Sequence, residues 1–203
     1  MCAVVGATLC LSAARASTLV GLDYVLGFDG PSLTLGDNFD APTLQSPPWF
    51  VLSGSPLISI GSALQMHGND GIIAATGFSG TADSTLIAQA NLTDFTGDSA
   101  LAVLLVGPNF NDVVGLLLTP NFAAAVNEGG VLGVLAQPAA PASQLVLTAT
   151  TTGNLIATVD GAVVYAGPDA FGPLTQVIVS VVPEPATMAV FLALGALLRL
   201  RRR

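Results

Sequence analysis

The stretch that decides the fold of this chain reads STLIAQANLT and covers residues 84–93. Its apolar side chains occupy every second position, and polar side chains fill most of the positions between them. The apolar members are Leu86, Ala88, Ala90 and Leu92. Because successive side chains of a strand point to opposite faces, this alternation predicts a β-strand with one buried face. The stretch QLVLTAT at residues 144–150 repeats the pattern.

A second fold signal is the tetrapeptide VDGA at residues 159–162. Asp-Gly supplies the positive φ angles of a type I′ turn, so this segment predicts a β-hairpin. Further apolar runs that end at Gly, Pro, Asn or Asp cover residues 49–52, 57–66, 101–106, 113–118, 131–135 and 177–182. Many short strands at spacings of about 8–12 residues are typical of a sandwich or barrel. Only residues 122–127 weakly favour a helix, so the sequence predicts an all-β domain.

The distribution of charged residues along the chain excludes some classes of function. Of the thirteen acidic residues, twelve lie in residues 17–182, and that segment contains no Lys or Arg. Nucleic acid binding is excluded as a function because no basic surface exists. Direct binding of an acidic polysaccharide is disfavoured for the same reason, unless a divalent ion bridges the two. The carboxylates form either a solvated surface or, where buried, groups stabilised by backbone N–H donors or a metal.

The end of the chain reads VVPEPATMAVFLALGALLRLRRR at residues 181–203. Residues 186–198 form an uncharged run of thirteen, and as a helix this run is about 20 Å long, against about 30 Å for the hydrocarbon core of a bilayer. A buried soluble helix is one alternative. The arginines that follow favour a short transmembrane helix instead, since they suit the cytoplasmic side and can extend the span by snorkelling. These are Arg199, Arg201, Arg202 and Arg203.

This tail resembles the PEP-CTERM sorting domain of Gram-negative bacteria in three successive features. They are the motif Val182-Pro183-Glu184-Pro185, the short apolar helix and the terminal arginine cluster. The resemblance implies recognition by an exosortase, a membrane-embedded cysteine protease that cuts near Pro-Glu-Pro. It also implies a protein associated with extracellular polysaccharide and biofilm, and it leaves the function of the upstream domain open.

The opposite end has the features of a secretory signal peptide, which implies the export machinery as a partner. Residues 1–14 are largely apolar, and Ala14-Arg15-Ala16 places small residues before a cleavage site at Ser17. No Lys or Arg precedes the apolar region, so the true start lies upstream or the amino terminus supplies the charge. Both cysteines lie in the segment that would be removed, which predicts a mature domain without disulfides.

The domain between these signals resembles concanavalin A-like, laminin-G-type jelly rolls. The residues that carry the resemblance are Asp37-Asn38-Phe39-Asp40, Trp49, Gly54, Leu64-Gln65-Met66 and the hairpin at 155–165. The resemblance implies an antiparallel two-sheet sandwich with one concave face. In such folds that face or its rim loops often hold sugar or calcium.

The sequence contains candidate residues for both ligands. Calcium takes six to eight oxygen ligands, and Asp37 and Asp40 are the favoured pair, although Asp and Asn are also the usual turn formers. Trp49 is a candidate sugar platform, with a role in the core as the alternative. No catalytic residue is predicted, because Glu128 has no partner acid for glycoside hydrolysis and His67 is a lone imidazole.

The sequence therefore predicts three segments: a signal peptide at 1–16, a sandwich at 17–182 and a sorting signal with a transmembrane helix at 183–203. We expect an exported, non-enzymatic structural or adhesive protein of a bacterial surface, polysaccharide matrix or biofilm, without a required cofactor. The alternatives are a lectin-like carbohydrate-binding module and, third, a glycoside hydrolase.

Overall fold

The computed structural model describes residues 19–59, 63–68, 70–94, 99–110, 112–119, 121–136 and 142–183. The signal peptide with Ala14, Ala16 and Ser17 lies outside these ranges, as do Glu184, Pro185 and the apolar and arginine segments of the tail. No helix within the described ranges is long and apolar enough to cross a membrane.

The described chain is all-β, with fifteen strands and one 3-10 turn at Pro108–Phe110. The strands are β1 Leu19–Asp29, β2 Ser32–Asp37, β3 Trp49–Ser53, β4 Leu57–Ser59, β5 Ala63–Met66, β6 Gly71–Ala75, β7 Ser84–Asp94, β8 Ser99–Val106, β9 Val113–Leu118, β10 Ala123–Asn127, β11 Gly130–Leu135, β12 Ala142–Ala149, β13 Asn154–Val159, β14 Ala162–Pro168 and β15 Gln176–Pro183.

These strands form two antiparallel sheets. Sheet A has the order β14-β13-β12-β7-β1-β5-β4, and β2 also pairs with β1. Sheet B has the order β11-β10-β9-β8-β15-β6-β3. The sheets pack face to face, and one apolar cluster contains residues from both. The predicted two-sheet sandwich is confirmed.

The alternation in β7 and β12 positions the core. Leu86 pairs with Leu147, which pairs in turn with Ala157 of β13, and all three side chains are buried. The intervening side chains, such as Thr85 and Thr148, face outward and share a hydrogen bond of 3.1 Å. A one-residue slip would exchange these two sets, so burial of one face specifies the register.

The predicted hairpin at residues 159–162 is also confirmed. Asp160 has φ 51° and Gly161 has φ 77°, as a type I′ turn requires. Asp160 stabilises the turn further, since its Oδ1 accepts the N–H of Gln144 at 2.7 Å.

Two sequence expectations need correction. Residues 122–127 do not form a helix but contain β10, because buried Ala124 pairs with β9 on one side and β11 on the other. Tertiary pairing overrides the helix propensity of the alanines. Residues 57–66 form the two strands β4 and β5 rather than one. The last strand, β15, includes Val182 and Pro183, so the sandwich extends into the first half of the sorting motif.

Candidate functional site

The loops at one end of the sandwich form a connected polar structure. Three segments meet there: residues 76–83 between β6 and β7, residues 150–153 between β12 and β13, and residues 169–175 between β14 and β15. This end is opposite to the one at which β15 finishes, because the first residue of β15 follows directly on the third segment.

Two aspartates connect residues 76–83 to neighbouring segments through hydrogen bonds. Asp83 Oδ1 accepts the N–H of Thr151 at 2.8 Å and its hydroxyl at 3.1 Å. Asp29, at the end of β1, accepts the N–H of Ser79 at 3.0 Å through Oδ2. Gly80 has φ 72°, a conformation that glycine adopts without strain, and this allows the chain to turn between these contacts.

Backbone contacts hold the third segment. Asp169 donates its N–H to the carbonyl of Gly153 at 3.0 Å, and Asp169 Oδ1 accepts from Asn127 Nδ2 at 2.8 Å. The Thr76 hydroxyl donates to the carbonyl of Leu174 at 3.3 Å. A Cβ atom at Gly172 would lie 2.7 Å from Asp112 Oδ2, so a larger residue there would require the Asp112 side chain to move.

The three segments enclose a cleft of about 260 Å³. Its walls combine exposed backbone and hydroxyl groups with one aromatic ring and a few small apolar side chains. The lining residues are Gly80, Ala82, Ser84, Ala149, Thr150, Thr151, Gly153, Phe171, Gly172, Pro173 and Leu174. The volume lies slightly below the range of about 300–1,000 Å³ that is usual for small-molecule sites, which favours a small ligand.

The surroundings of the cleft are acidic and rich in acceptors. Asp83 and Asp169 lie in the segments that bear it, Asp29 binds Ser79 and Asp112 lies beside Gly172. Residues 19–183 contain no Lys or Arg. Within the described ranges, four buried side-chain oxygens lack a hydrogen-bond partner. Three of them, Asp29 Oδ1, Asp169 Oδ2 and Gln176 Oε1, lie at this end of the sandwich. The acidic surroundings disfavour an anionic ligand and suit an uncharged one.

The predicted sugar platform, Trp49, does not lie in this cleft. Its side chain is 0% exposed, and its ring centroid is 5.9 Å from that of Phe39. The indole N–H donates to Asp37 Oδ2 at 2.8 Å. The structure places Trp49 in the core, the other role considered for it, and leaves no ring face on which a sugar could stack.

The predicted calcium ligands lie near the sheet edge, in the segment that ends β2. Asp37 already uses both carboxylate oxygens, because Oδ1 accepts the N–H of Phe39 at 2.7 Å while Oδ2 binds Trp49. Asp40 is exposed, and its Oδ2 accepts from Asn38 Nδ2. No group of three or more His, Cys, Asp or Glu side chains within the described residues could hold a metal. The pair stays a prediction, and its geometry fits a structural role better than a calcium site.

The candidate acid–base residues also have structural contacts. Glu128 Oε2 accepts the N–H of Val113 at 3.4 Å. His67 is half-exposed and lies 3.6 Å from Asp70 through Nδ1. Asp70 is buried and accepts the N–H groups of Ser55 and His67, each at 2.8 Å.

Sequence reasoning did not single out Asp83, Thr151 or Phe171. The nearest local signals were the polar run TATTTGN at residues 148–154 and the loop GPDAFGP at residues 167–173, each of which contains an unusual density of turn residues. Neither signal indicates that the two segments meet, since their contact depends on sheet A.

Comparison with known proteins supports the fold. No family model matches the chain, and no curated protein matches it. The structure is similar to the metal-free Emp46p carbohydrate recognition domain, with a TM-score of 0.55 and 14% identity over 72% of this chain and 86% of that one.

Two further structures are less similar. The Emp47p carbohydrate recognition domain has a TM-score of 0.38 and 12% identity over 83% of this chain and 90% of that one. The receptor binding domain of botulinum neurotoxin C/D mosaic serotype has a TM-score of 0.43 and 7% identity over 86% of this chain and 51% of that one. The likeness to the Emp46p domain shows that the two share a β-sandwich fold.

Proposed function

We propose that this chain is a lectin-like module that binds a small neutral glycan in the cleft at residues 80–84, 149–153 and 171–174. The observation that carries the proposal is the cleft itself, because it combines hydroxyls, backbone groups and an aromatic ring on a sandwich of this fold. The Emp46p domain is a carbohydrate recognition domain, and the transfer of that role to this chain is part of the proposal.

Each feature of the cleft has a part in this binding. Thr150 and Thr151 present hydroxyl oxygens that can accept from a sugar hydroxyl, since the Thr151 proton is donated to Asp83. Phe171 offers a ring against which the apolar face of a sugar can pack. Asp83 does not itself line the cleft, and its Oδ1 fixes the position of Thr151 by accepting the N–H and the hydroxyl of that residue. Asp83 is therefore a positioning residue, and a hydrogen bond to a charged group of this kind contributes about 1.5–3 kcal/mol.

The test is a glycan array probed with the full chain, followed by titration calorimetry on the best neutral ligand. We expect Asp83→Asn to weaken binding by about tenfold, because the hydrogen bonds that position Thr151 lose their charge assistance and about 1.4 kcal/mol corresponds to a factor of ten. Asparagine can still accept from Thr151 through its single oxygen, so the loop should persist. Phe171→Leu should also weaken binding, because it keeps apolar volume but removes the ring.

Asp23→Asn is the matched control for charge. Asp23 lies in the middle of β1, about 20 Å along the strand from the cleft end. The Asp23→Asn substitution removes the same charge as Asp83→Asn. Equal losses in Asp83→Asn and Asp23→Asn would assign the effect to net charge and contradict the cleft. If no neutral glycan binds at all, the structural or adhesive role becomes the better hypothesis.

We also propose that the chain is exported and processed by an exosortase, and that it acts at the cell surface or in a polysaccharide matrix. The support comes from sequence alone: the apolar start, the motif Val182-Pro183-Glu184-Pro185, the apolar run and the arginine cluster. Mass spectrometry of the surface fraction should find a form without residues 199–203. An intact C-terminus on the surface form would contradict processing.

A further inference from the structure

The outer face of sheet B, which points away from the other sheet, is mainly apolar, with Ser180 as a polar member. Strand register aligns one row across it: Phe50, Ile73, Ile178, Leu104, Gly115, Val126 and Val131. A second row contains Gly71, Ser180, Ala102, Leu117, Ala124 and Val134. These side chains alternate with the core-facing ones, so β8 and β9 are apolar on both faces. Runs of this kind are typical of strands covered on both sides.

Burial on this face differs between its centre and its edges. At the centre Ala102 is 0%, Ala124 1% and Leu104 7% exposed. At the edges Phe50 is 57% and Val134 59% exposed. The central side chains form a second apolar cluster, separate from the core between the sheets. This second cluster also includes Val106, Leu117 and Val182. The described strands form only two layers, and none of them lies in front of this cluster.

The chain leaves the sandwich directly at this cluster. Val182 belongs to it, and β15 ends one residue later between β8 and β6. Twenty residues follow, of which 186–198 are uncharged and mostly apolar, with only Glu184 and Pro185 before them. An apolar segment tethered by two residues has a high effective concentration at the adjacent face.

The dimensions of this segment match the buried centre. As a helix, thirteen residues span about 20 Å, while the eight residues of β15 span about 27 Å. The buried central strands β15, β8, β9 and β10 cover three inter-strand intervals, or about 14 Å. A helix with its side chains is about 10–12 Å wide, so one helix covers the centre and leaves the edges exposed.

Charge complementarity indicates the direction in which the tail segment would run over the sheet. A segment that turns back from Pro183 runs toward the start of β15 and carries residues 199–203 to that end of sheet B. Asp112 and Glu128 lie there, before β9 and after β10, and Asp169 contacts Asn127 at the same end. The four terminal arginines thus meet carboxylates in a domain without Lys or Arg.

We propose that residues 186–198 fold back as a helix over the outer face of sheet B whenever the chain is not in a membrane. The tail then has two mutually exclusive positions, on the sheet and in the bilayer, and transfer to the bilayer uncovers the apolar face. This inference does not rest on glycan binding in the cleft, although the arginines would lie at the cleft end of the sandwich.

Cysteine cross-linking tests the fold-back position directly. The full chain is made in a membrane-free translation extract with Cys2 and Cys10 replaced by Ser. Leu104→Cys is paired in turn with a cysteine at each of residues 194–197, which together sample every side of a helix. We expect loss of both free thiols within the monomer for one or two of the four pairs, because a disulfide needs Cα atoms about 4.4–6.8 Å apart. Ala124→Cys is a second position in case Leu104→Cys fails to fold.

Val163→Cys is the matched control, since Val163 is 58% exposed but lies in β14 of sheet A. Its thiol should remain free in every pair. Cross-linked dimers of the single Leu104→Cys variant would show that a second copy covers the face and would overturn the proposal. A monomer with free thiols in all four pairs at both face positions would overturn it too, as would equal cross-linking to Val163→Cys.

Discussion

Replacing Asp37 by asparagine tests whether this carboxylate has a structural role. Both oxygens accept an N–H group, from Phe39 at 2.7 Å and from Trp49 at 2.8 Å. Asparagine has one oxygen, so its amide group must face one of the two donors. Loss of a hydrogen bond to a charged group costs about 1.5–3 kcal/mol, and the remaining bond loses its charge assistance. We expect a total loss of about 2–4 kcal/mol.

An opposing effect must be weighed against this loss. Twelve acidic residues lie in residues 17–182 without a Lys or Arg, so removing any carboxylate relieves some repulsion. At 0.15 M salt the screening length is about 8 Å, and the gain from one exposed charge is limited to tenths of a kcal/mol. The hydrogen-bond term therefore dominates, and Asp37→Asn should destabilise the protein.

The measurement is thermal unfolding followed by tryptophan fluorescence. Trp49 is the only tryptophan, so the signal reports on the contact in question. For a chain of this length, a change of 1 kcal/mol shifts Tm by about 2–4 °C, so we expect Tm to fall by about 5–15 °C. The native emission should also shift toward longer wavelength if the indole gains contact with water.

Asp40→Asn is the control, because it removes the same charge three residues away from an exposed side chain. Its Tm should stay within about 1–2 °C of the parent. Equal Tm values for the two variants would refute the structural role of Asp37. A loss in Asp37→Asn that appears only when calcium is present would refute it as well and would support the calcium prediction.

Three further outcomes are expected from stability measurements. The free energy of unfolding measured in urea should be about 2–4 kcal/mol lower for Asp70→Asn than for Asp23→Asn, because Asp70 is buried and accepts two N–H groups. Equal urea midpoints for the two variants would contradict this role of Asp70. Gly54→Ala should be destabilised by more than about 1 kcal/mol, since Gly54 has φ 72° and a Cβ atom there would clash with the Asp70 carboxylate; a Tm unchanged from the parent would argue against the close approach. Sodium chloride should raise Tm between 0.01 and 0.15 M, as the screening length falls from about 30 to about 8 Å; a flat response would mean that repulsion among the carboxylates is negligible.

The sequence predicted the strands best where one face is buried and the other is polar. In β7 and β12 the alternation of Leu or Ala with polar residues mirrors the two environments, so local pattern and tertiary position agree. The prediction was wrong at residues 122–127, where small apolar residues are compatible with either a helix or a strand. The pairing that decides between them comes from β9 and β11, which no local window contains.

The cleft could not be predicted because its contacts join residues that are distant in sequence. Asp83 binds Thr151 across 68 positions, and Asn127 binds Asp169 across 42. Neither pair has a local pattern. Trp49 shows the converse limitation: its residue type suggested a sugar platform, but the carboxylate that satisfies its N–H lies twelve positions earlier and allows complete burial.

The two ends of the sandwich have different surroundings, and their positions constrain any arrangement at a membrane. β15 finishes at Pro183, at the end opposite to the cleft, and its eight residues separate the two ends by about 27 Å. Only Glu184 and Pro185 lie between that strand and the apolar run, so a chain anchored by the run would hold the Pro183 end against the bilayer. The cleft would then face away from the membrane, toward external glycans. The outer face of sheet B would stand at the side of the anchored domain and, once vacated by the tail, would be available to a neighbouring molecule. Under the proposed fold-back, one tail segment would thereby link anchoring to exposure of an apolar surface, because a helix cannot cover the sheet and enter the bilayer at the same time.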